Sequence, residues 1–329
     1  MDKWISSLSD ENKAIWGEFA GEIMQVWQNP NYDFSKHKST EYKGYLLPPF
    51  FEAETIKRAY EEMKVEEGSV FVMSFPRTGE AWSHWTIEIL NQMLYGDEKE
   101  LYALSQALPP PLTHIEIGLH KKLELYEHLP FPRKLFGSHL PVELVNLEKI
   151  RKANAKIVVV ERNPKDQAVS WFHFAHANPS FKSIKDDLST DWTQFLNDYV
   201  AGKHPLITKP GEWYPEHLLG WYKHKDEENV YFLHFEKMKK SPANEMENLA
   251  AFLGIEITND RIDEISQATL FENMKIAKEG KGDFEKKMGI MRKGHVGSWK
   301  ENFTKDQSTM MDKLIQDKLG HMDIKFTYE

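Results

Sequence analysis

The sequence predicts an α/β fold, because a short apolar strand is followed by a helical pattern three times along the chain. The three strands are expected at residues 70–73, 156–160 and 230–235. In the second strand, Lys156 is followed by Ile157 and three valines, a run typical of a parallel strand that is buried on both faces of a sheet. The pattern therefore favours parallel strands that alternate with helices.

The N-terminal segment, residues 1–40, is predicted to be a helical extension. Ser9 and the two acidic residues after it are typical of a helix start, and Asn29-Pro30 should end that helix. Apolar residues recur at helical spacing on one face, at Ile15, Phe19, Ile23 and Trp27. An irregular stretch is expected from there to Pro48-Pro49, and a second helix from residue 53 to residue 63.

The remaining connections are marked by prolines and by charged or glycine-rich stretches. Residues 108–111 contain three prolines and predict a loop. Residues 131–141 predict a short strand with a polar tip. Residues 275–291 are rich in Lys, Glu and Gly and predict a mobile loop, and a last helix is expected at residues 305–319. No linker is long enough to separate domains, so a single domain of residues 1–329 is predicted.

The composition excludes several classes of protein. Hydrophobic residues make up 40% of the 329 residues and aromatic residues 12%, which is enough for a buried core and argues against global disorder. No run approaches the ~18 consecutive apolar residues of a membrane span, and the first residues lack the pattern of a secretion signal. The chain has no cysteine and a formal net charge of −9, which argue against disulfides and against general nucleic-acid binding. A soluble cytoplasmic protein is therefore expected.

The turn after the first strand has the features of an anion-binding site. The sequence Ser74-Phe75-Pro76-Arg77-Thr78-Gly79 leads from the strand into a helix, so backbone N–H groups and the positive end of a helix dipole meet there. Arg77 and Thr78 add a charge and a hydroxyl group. The G-x-x-x-x-G-K-[ST] spacing of a Walker A loop is absent, which argues against a nucleotide kinase. The alternative is an ordinary strand–helix turn with one exposed arginine.

Polar residues follow the predicted strands at the ends where open α/β sheets bind their ligands. The pairs are Arg77 with Thr78, Ser138 with His139, and Arg162 with Asn163. If the strands are parallel and adjacent, these side chains converge on one crevice. His139 is then a candidate general base near neutral pH. The alternative for His139 is a partly buried histidine whose hydrogen bonds are satisfied.

Two basic clusters predict a ligand with two separated anionic groups. Ser170 lies eight residues after Arg162, about two turns into the next helix, and so faces roughly the same side. Arg292-Lys293-Gly294 forms the second cluster, next to the predicted mobile loop. For each arginine the alternative is a surface salt bridge. No spacing of histidines and carboxylates indicates a metal site.

Four ordered motifs give the chain a resemblance to the cytosolic sulfotransferases, which use 3′-phosphoadenosine 5′-phosphosulfate as the sulfonate donor. Residues 74–82, S-F-P-R-T-G-E-A-W, resemble the family's phosphosulfate loop, usually Y-P-K-[ST]-G-T-T-W. Residues 137–141, G-S-H-L-P, resemble its catalytic-histidine segment, K-[ST]-H-L-P. Residues 159–170 are similar to its 3′-phosphate-binding strand and helix, and residues 292–300 to its R-K-G-x-x-G-x-W-K segment.

The resemblance implies a single α/β domain with a central parallel sheet flanked by helices and a P-loop-like phosphosulfate loop. It also implies in-line transfer, in which His139 takes the proton of an acceptor hydroxyl, Arg77 stabilises charge on the leaving oxygen, and Ser138 binds the donor or tunes Arg77. The acceptor would be a small lipophilic phenol, sterol or other alcohol, in a pocket near residues 104–127 and 275–291. The implied donor-binding residues are Arg77, Thr78, Gly79, Glu80, Ala81, Trp82, Arg162, Ser170, Phe235, Thr269, Phe271, Met291, Arg292, Lys293 and Gly294.

The chain departs from the family pattern at several positions. Glu80 and Ala81 replace two threonines of the phosphosulfate loop, and Gly137 replaces a lysine near the acceptor. These changes leave a second interpretation open, a catalytically weak protein on the same fold that binds a nucleotide or a lipophilic molecule. The family's dimerisation motif, K-x-x-x-T-V-x-x-x-E, is altered at Lys305 and Thr309. A monomer, or a dimer through another surface, is therefore expected.

Overall fold

The structure is a computed structural model, and it describes residues 1–29, 31–79, 85–270, 272–274, 296–322 and 324–329. Its strands are β1 (Thr40–Tyr42), β2 (Tyr45–Leu47), β3 (Val70–Ser74), β4 (Leu135–Ser138), β5 (Lys156–Glu161) and β6 (Val230–His234). Its α-helices are Asp2–Ser7, Asp10–Glu22, Ala53–Glu61, Trp85–Tyr95, Lys99–Ala107, Pro110–Thr113, Leu147–Lys152, Pro164–Ala177, Trp192–Val200, Tyr214–Tyr222, Phe235–Lys240, Pro242–Leu253, Asn259–Ala268 and Lys305–Leu319. A π-helical segment, Ile23–Trp27, continues the second helix, and 3₁₀ helices lie at Phe34–Lys36, His120–His128, Val142–Leu144, Pro179–Asp187 and Ser298–Glu301.

The central sheet has the strand order β4-β3-β5-β6, and every neighbouring pair is parallel. All five residues of β3 are buried, as are the residues of β5 after Lys156. These two strands occupy the middle of the sheet, where helices cover both faces, which explains their continuous apolar sequences. The predicted α/β domain with a central parallel sheet is confirmed.

The predicted helix starts depend on side-chain caps that the structure contains. The side chain of Asn163 accepts a hydrogen bond from the Asp166 N–H at 2.8 Å, and Pro164 occupies the first helical position. The hydroxyl of Ser9 likewise accepts from the Asn12 N–H at 3.2 Å. The last helix, Lys305–Leu319, has the predicted bounds.

The N-terminal segment packs into the same apolar core as the sheet. Trp4, Phe19 and Trp27 are buried in one cluster with Val72 and Val159 of the central strands. A second cluster lies between the helices Pro164–Ala177, Tyr214–Tyr222 and Lys305–Leu319. Within the described ranges no helix has the length and apolar character needed to cross a membrane.

Two local predictions were wrong. The stretch expected to be irregular contains the antiparallel hairpin β1–β2, whose turn residues Lys43 and Gly44 have φ angles of 49° and 81°. Such a turn normally carries Asn-Gly or Asp-Gly, so Lys-Gly was a weak signal. Pro110–Thr113 forms a helical turn inside the predicted loop, because proline is tolerated where the first N–H groups need no partner. The predicted mobile loop at 275–291 lies outside the described residues.

Candidate active site

The carboxyl ends of three strands bring the polar residues to one edge of the sheet. Met73 of β3 is level with Ser138 of β4, and Ser74 is level with Val160 of β5. Because β3 lies between β4 and β5, the residues that follow each strand leave the sheet side by side. The expected convergence of the strand ends is therefore present in the fold.

The ring of His139 is buried and held in one tautomer. Its Nδ1 lies 3.0 Å from the carbonyl oxygen of Ser74 and 3.2 Å from the hydroxyl of the same residue. A carbonyl oxygen only accepts hydrogen bonds, so Nδ1 carries the proton and Nε2 has the lone pair that takes up a proton. Burial, aided by the nearby Arg77 charge, lowers the pKa of His139 to about 4 against the opposing effect of the Ser74 hydrogen bond. The imidazole is therefore neutral near pH 7, as a general base must be.

Glu116 holds the main chain of the candidate base and was not found from the sequence. Its Oε1 accepts a hydrogen bond from the His139 N–H at 2.6 Å and lies 3.5 Å from Nε2 of His114. The carboxyl group is fully buried, and burial raises its pKa to about 7 against the effect of hydrogen bonds that include the Ser138 side chain. A single carboxylate between Ile115 and Ile117 was the only available signal in the sequence. Glu116 is a positioning residue for the segment that carries His139.

Arg77 adopts a backbone conformation that is unusual for a residue with a side chain. Its φ is 74°, in the left-handed region, which costs about 1–2 kcal/mol for an L-residue. The guanidinium donates from Nε to the Ser170 hydroxyl at 3.1 Å and packs on the Phe174 ring at 4.3 Å. The Arg77 carbonyl accepts from Nη1 of Arg162 at 3.3 Å. Arg77 therefore connects the turn to Arg162 and Ser170, two of the residues predicted for the 3′-phosphate.

Arg162 is fixed by contacts to its backbone and to its side chain. Its N–H donates to the Tyr214 hydroxyl at 2.9 Å, and that hydroxyl donates back to the Arg162 carbonyl at 3.0 Å. The guanidinium stacks on the Phe235 ring at 4.6 Å, and the next residue, Asn163, donates its N–H to Glu236 at 2.8 Å. A buried tyrosine and a buried glutamate thus set the position of this charge.

Gly79 ends the described part of the turn and has no room for a side chain. Its φ is 121°, and a Cβ placed on it would lie 2.5 Å from Cδ2 of Phe235. The backbone here therefore packs directly against the aromatic ring that contacts Arg162. Lys239, which the sequence analysis missed, places Nζ 3.8 Å from the centre of the Trp85 ring and 5.8 Å from that of Phe235. Burial and the Arg162 charge lower the pKa of Lys239 to about 8.

The remaining predicted donor-site residues divide into two groups. The hydroxyls of Thr78 and Thr269 donate to nearby carbonyls, those of Phe75 at 2.9 Å and Ile265 at 2.8 Å, so both serve the local backbone. The others lie outside the described residues: Glu80, Ala81, Trp82, Phe271, Met291, Arg292, Lys293 and Gly294. The described chain resumes at Val296.

Asp166 anchors the chain directly after the predicted Arg-Lys-Gly segment. Its carboxylate accepts from the N–H of Gly297 at 2.7 Å, the hydroxyl of Ser298 at 3.0 Å and the N–H of Trp299 at 2.8 Å. Asp166 is fully buried and lies four residues after Arg162 in sequence. Residues 297–299 are therefore tied to the helix that begins directly after Arg162 and Asn163.

A largely apolar pocket opens beside Arg77 and His139. It contains about 650 Å³ of space, including the part open to solvent. Its walls are formed by Trp27, Pro48, Pro49, Phe50, Phe51, Pro76, Arg77, His139, Trp171, Phe174, Asn178, Ser180, Phe181 and Leu206. Residues 104–127, where the acceptor pocket is predicted, do not line this pocket, whose walls come from residues 27, 48–51, 76–77, 139, 171–181 and 206.

Comparison with known proteins identifies this arrangement. The sulfotransferase domain model matches residues 67–323. The rabbit (Oryctolagus cuniculus) amine sulfotransferase is 27% identical over 278 residues, which cover 82% of this chain and 86% of the relative. Human (Homo sapiens) sulfotransferase 6B1 is 27% identical over 326 residues, 98% of each chain.

Solved structures agree with the sequence comparison. The mouse sulfotransferase SULT7A1, solved in complex with PAP, superimposes with a TM-score of 0.68 at 26% identity and covers 87% of this chain and 96% of its own. Retinol dehydratase, solved with androsterone and the inactive cofactor PAP, has the same fold, with a TM-score of 0.68 at 19% identity and coverage of 95% and 96%. The family model spans most of the chain, and the chain therefore belongs to the sulfotransferase family and is a sulfotransferase enzyme.

Proposed function

We propose that this enzyme transfers a sulfonate group to the hydroxyl of a small lipophilic acceptor, with His139 as the general base. The observation that carries the proposal is a buried, neutral histidine in the wall of an apolar pocket, next to an arginine. The sulfonate donor is 3′-phosphoadenosine 5′-phosphosulfate, whose product PAP is bound in the mouse relative.

The described residues fit such a donor in charge and in shape. Arg77 and Arg162 lie in contact at the strand ends, and Lys239 is close to the same aromatic ring as Arg162. Gly79 leaves the turn without a side chain where the backbone approaches Phe235. We assign the 3′-phosphate to Arg162, Ser170 and the segment Arg292-Lys293-Gly294, which precedes the Asp166 anchor. We assign phosphosulfate binding to residues 77–82, and adenine binding to Trp82, Phe235, Thr269, Phe271 and Met291.

The proposed chemistry is a single displacement at sulfur. The acceptor oxygen forms a bond to sulfur while the bond between sulfur and the bridging phosphate oxygen breaks, and the leaving phosphate keeps the electron pair. Nε2 of His139 takes the proton of the acceptor hydroxyl, since Nδ1 already donates to Ser74. Arg77 stabilises the charge that develops on the leaving oxygen and, because it stays protonated, acts by electrostatics without giving up a proton.

The pocket walls support a lipophilic acceptor. Aromatic and aliphatic residues form most of the surface, and two of these, Phe51 and Phe174, contact the reactive side chains directly. Phe51 stacks on the His139 ring with centroids 6.3 Å apart. A phenol, a sterol or another alcohol would bury its carbon skeleton against these rings while its hydroxyl reaches His139.

Incubation with sulfur-35-labelled donor and a panel of phenols, sterols and aliphatic alcohols tests the proposal. We expect labelled sulfate esters from at least one hydroxyl class and none from the corresponding methyl ethers. Calorimetric binding of PAP without any transfer would support the alternative of a catalytically weak binding protein. Failure to bind PAP would refute the assigned donor site.

We further propose a cytoplasmic protein that is a monomer or that dimerises through a surface other than the altered motif. Residues of that motif make contacts within the chain. Lys300 pairs with Glu329 at 2.6 Å, and Thr304 caps the last helix by accepting from the Gln307 N–H at 3.2 Å. The Thr309 hydroxyl donates to the Lys305 carbonyl at 3.0 Å.

A further inference from the structure

Asn178 places an amide group in the largely apolar wall of the pocket. It follows the helix Pro164–Ala177 and caps the 3₁₀ helix Pro179–Asp187, and only 6% of its surface is exposed. Its Oδ1 accepts two hydrogen bonds from Ser180, one from the N–H at 2.9 Å and one from the hydroxyl at 2.7 Å. The carbonyl end of the amide is therefore committed to the helix cap.

The nitrogen end of the same amide has two N–H donors, and no described residue provides an acceptor for them. Rotating the amide by half a turn would point these donors at the Ser180 N–H, so the cap fixes the orientation. Asn178 lines the pocket beside Phe174, Phe181 and Leu206, which offer no side-chain oxygen, and beside Ser180, whose hydroxyl donates to Oδ1. A ligand oxygen that reaches these donors would pair with them beside a largely apolar wall, where a hydrogen bond is stronger than in open solvent.

Asn178 and the residue that packs on Arg77 belong to the end of the same helix. The Asn178 N–H donates to the Phe174 carbonyl at 2.9 Å, so Asn178 is one helical turn beyond Phe174. A turn rises by about 5.4 Å. The Phe174 ring packs on the Arg77 guanidinium at 4.3 Å, so Asn178 follows the residue that contacts this arginine by one helical turn.

We propose that Asn178 determines acceptor specificity by donating a hydrogen bond to a second oxygen of the acceptor, remote from the hydroxyl that is sulfonated. The proposal rests on the function proposed above and narrows the substrate class. The preferred acceptors are lipophilic molecules with a hydroxyl at one end and a carbonyl, ether or hydroxyl oxygen at the other, separated by an apolar skeleton.

A matched pair of phenols tests this assignment. The probes are 4-cyclohexylphenol and 4-(4-hydroxyphenyl)cyclohexanone, which share a skeleton and differ in one distal carbonyl oxygen. Affinities are measured by equilibrium binding to the PAP-loaded enzyme, and KM and kcat are measured with the sulfonate donor. For the wild type we expect the ketone to bind about tenfold more tightly, as one additional hydrogen bond inside the pocket provides. The difference should lie in KM and leave kcat unchanged.

The variant Asn178→Asp removes the donors while its carboxylate still accepts from Ser180. We expect the preference for the ketone to disappear or reverse, while the enzyme remains folded and still sulfonates the deoxygenated probe. Ser180→Ala is the matched control, because it removes one hydrogen bond to Oδ1 and leaves the Asn178 donors in place. Its preference for the ketone should persist.

The readouts distinguish failure of this inference from failure of the proposed function. Equal affinity of the wild type for the two probes, failure of the ketone to bind, or an unchanged preference in Asn178→Asp would overturn the role of Asn178. Selective binding of the ketone with no sulfonation of either probe would support the binding role and count against the proposed function.

Discussion

Replacing His139 tests the general base, and two variants separate its chemical role from its structural one. His139→Asn keeps an amide N–H that reaches toward the Ser74 carbonyl, whereas His139→Ala removes the donor, and neither variant has a base. Losing a general base lowers the rate by roughly 10²–10⁴. This loss equals about 2.7–5.5 kcal/mol of activation free energy at about 1.36 kcal/mol for each factor of ten. Both variants should therefore lose turnover to the same extent.

Stability should distinguish the two variants. The Ser74 carbonyl accepts from His139 at 3.0 Å in a buried site, so His139→Ala leaves it without this donor. An unsatisfied buried polar group costs about 1–3 kcal/mol, and we expect that loss in the free energy of unfolding for His139→Ala and a smaller one for His139→Asn. The assays are sulfonate-transfer kinetics at saturating donor, PAP calorimetry and urea unfolding. PAP affinity should stay within a few-fold.

Protonation of His139 should determine how the sulfonate-transfer activity depends on pH. The pKa of His139 is lowered to about 4 by burial, so the base is neutral and active above that pH and is protonated below it. Activity should persist as the pH falls from 7 and decline on an acidic limb below the ordinary histidine pKa of about 6.5. Bound donor, being anionic, should move that limb upward. Near-normal turnover in either variant, or the same acidic limb in His139→Asn, would refute the assignment.

The remaining predictions concern donor binding and assembly. Arg162→Ala should weaken binding of PAP by about 1.5–3 kcal/mol and that of its 3′-dephosphorylated analogue far less, by calorimetry, since a charge-assisted bond to the 3′-phosphate is lost; equal losses would place Arg162 elsewhere. Gly79→Ala should lower PAP affinity and stability, because the new methyl meets an aromatic ring at 2.5 Å, and Gly254→Ala, with φ of 65° and nothing within 4 Å, is the control for backbone strain alone. Unchanged PAP binding by Gly79→Ala would contradict the tight packing of the turn. Light scattering should show a monomer, or a dimer that persists on mutation within residues 300–309, and a stable dimer that dissociates on such mutation would contradict that expectation.

The elements that could be predicted from the sequence are those defined by local chemistry. A β-branched run predicts β5, Asn163-Pro164 predicts the helix that follows it, and the last helix has the expected bounds. Propensity, caps and apolar periodicity act over a few residues, so the identities of neighbouring residues are enough to predict these elements. The hairpin turn at Lys43-Gly44 was not predicted, because lysine rarely adopts the positive φ angle that its first position requires.

The sequence by itself determined the family, the order of the anion-binding segments and the identity of the candidate base, because these are contiguous motifs. Only the tertiary structure decided which side chains surround them. Glu116 reaches the His139 N–H across 23 residues, and Arg77 reaches Ser170 across 93. The pocket beside His139 likewise joins Trp27 to the 171–181 region. Such contacts depend on how helices and strands pack on both faces of the sheet, and no pattern within a few residues records that packing.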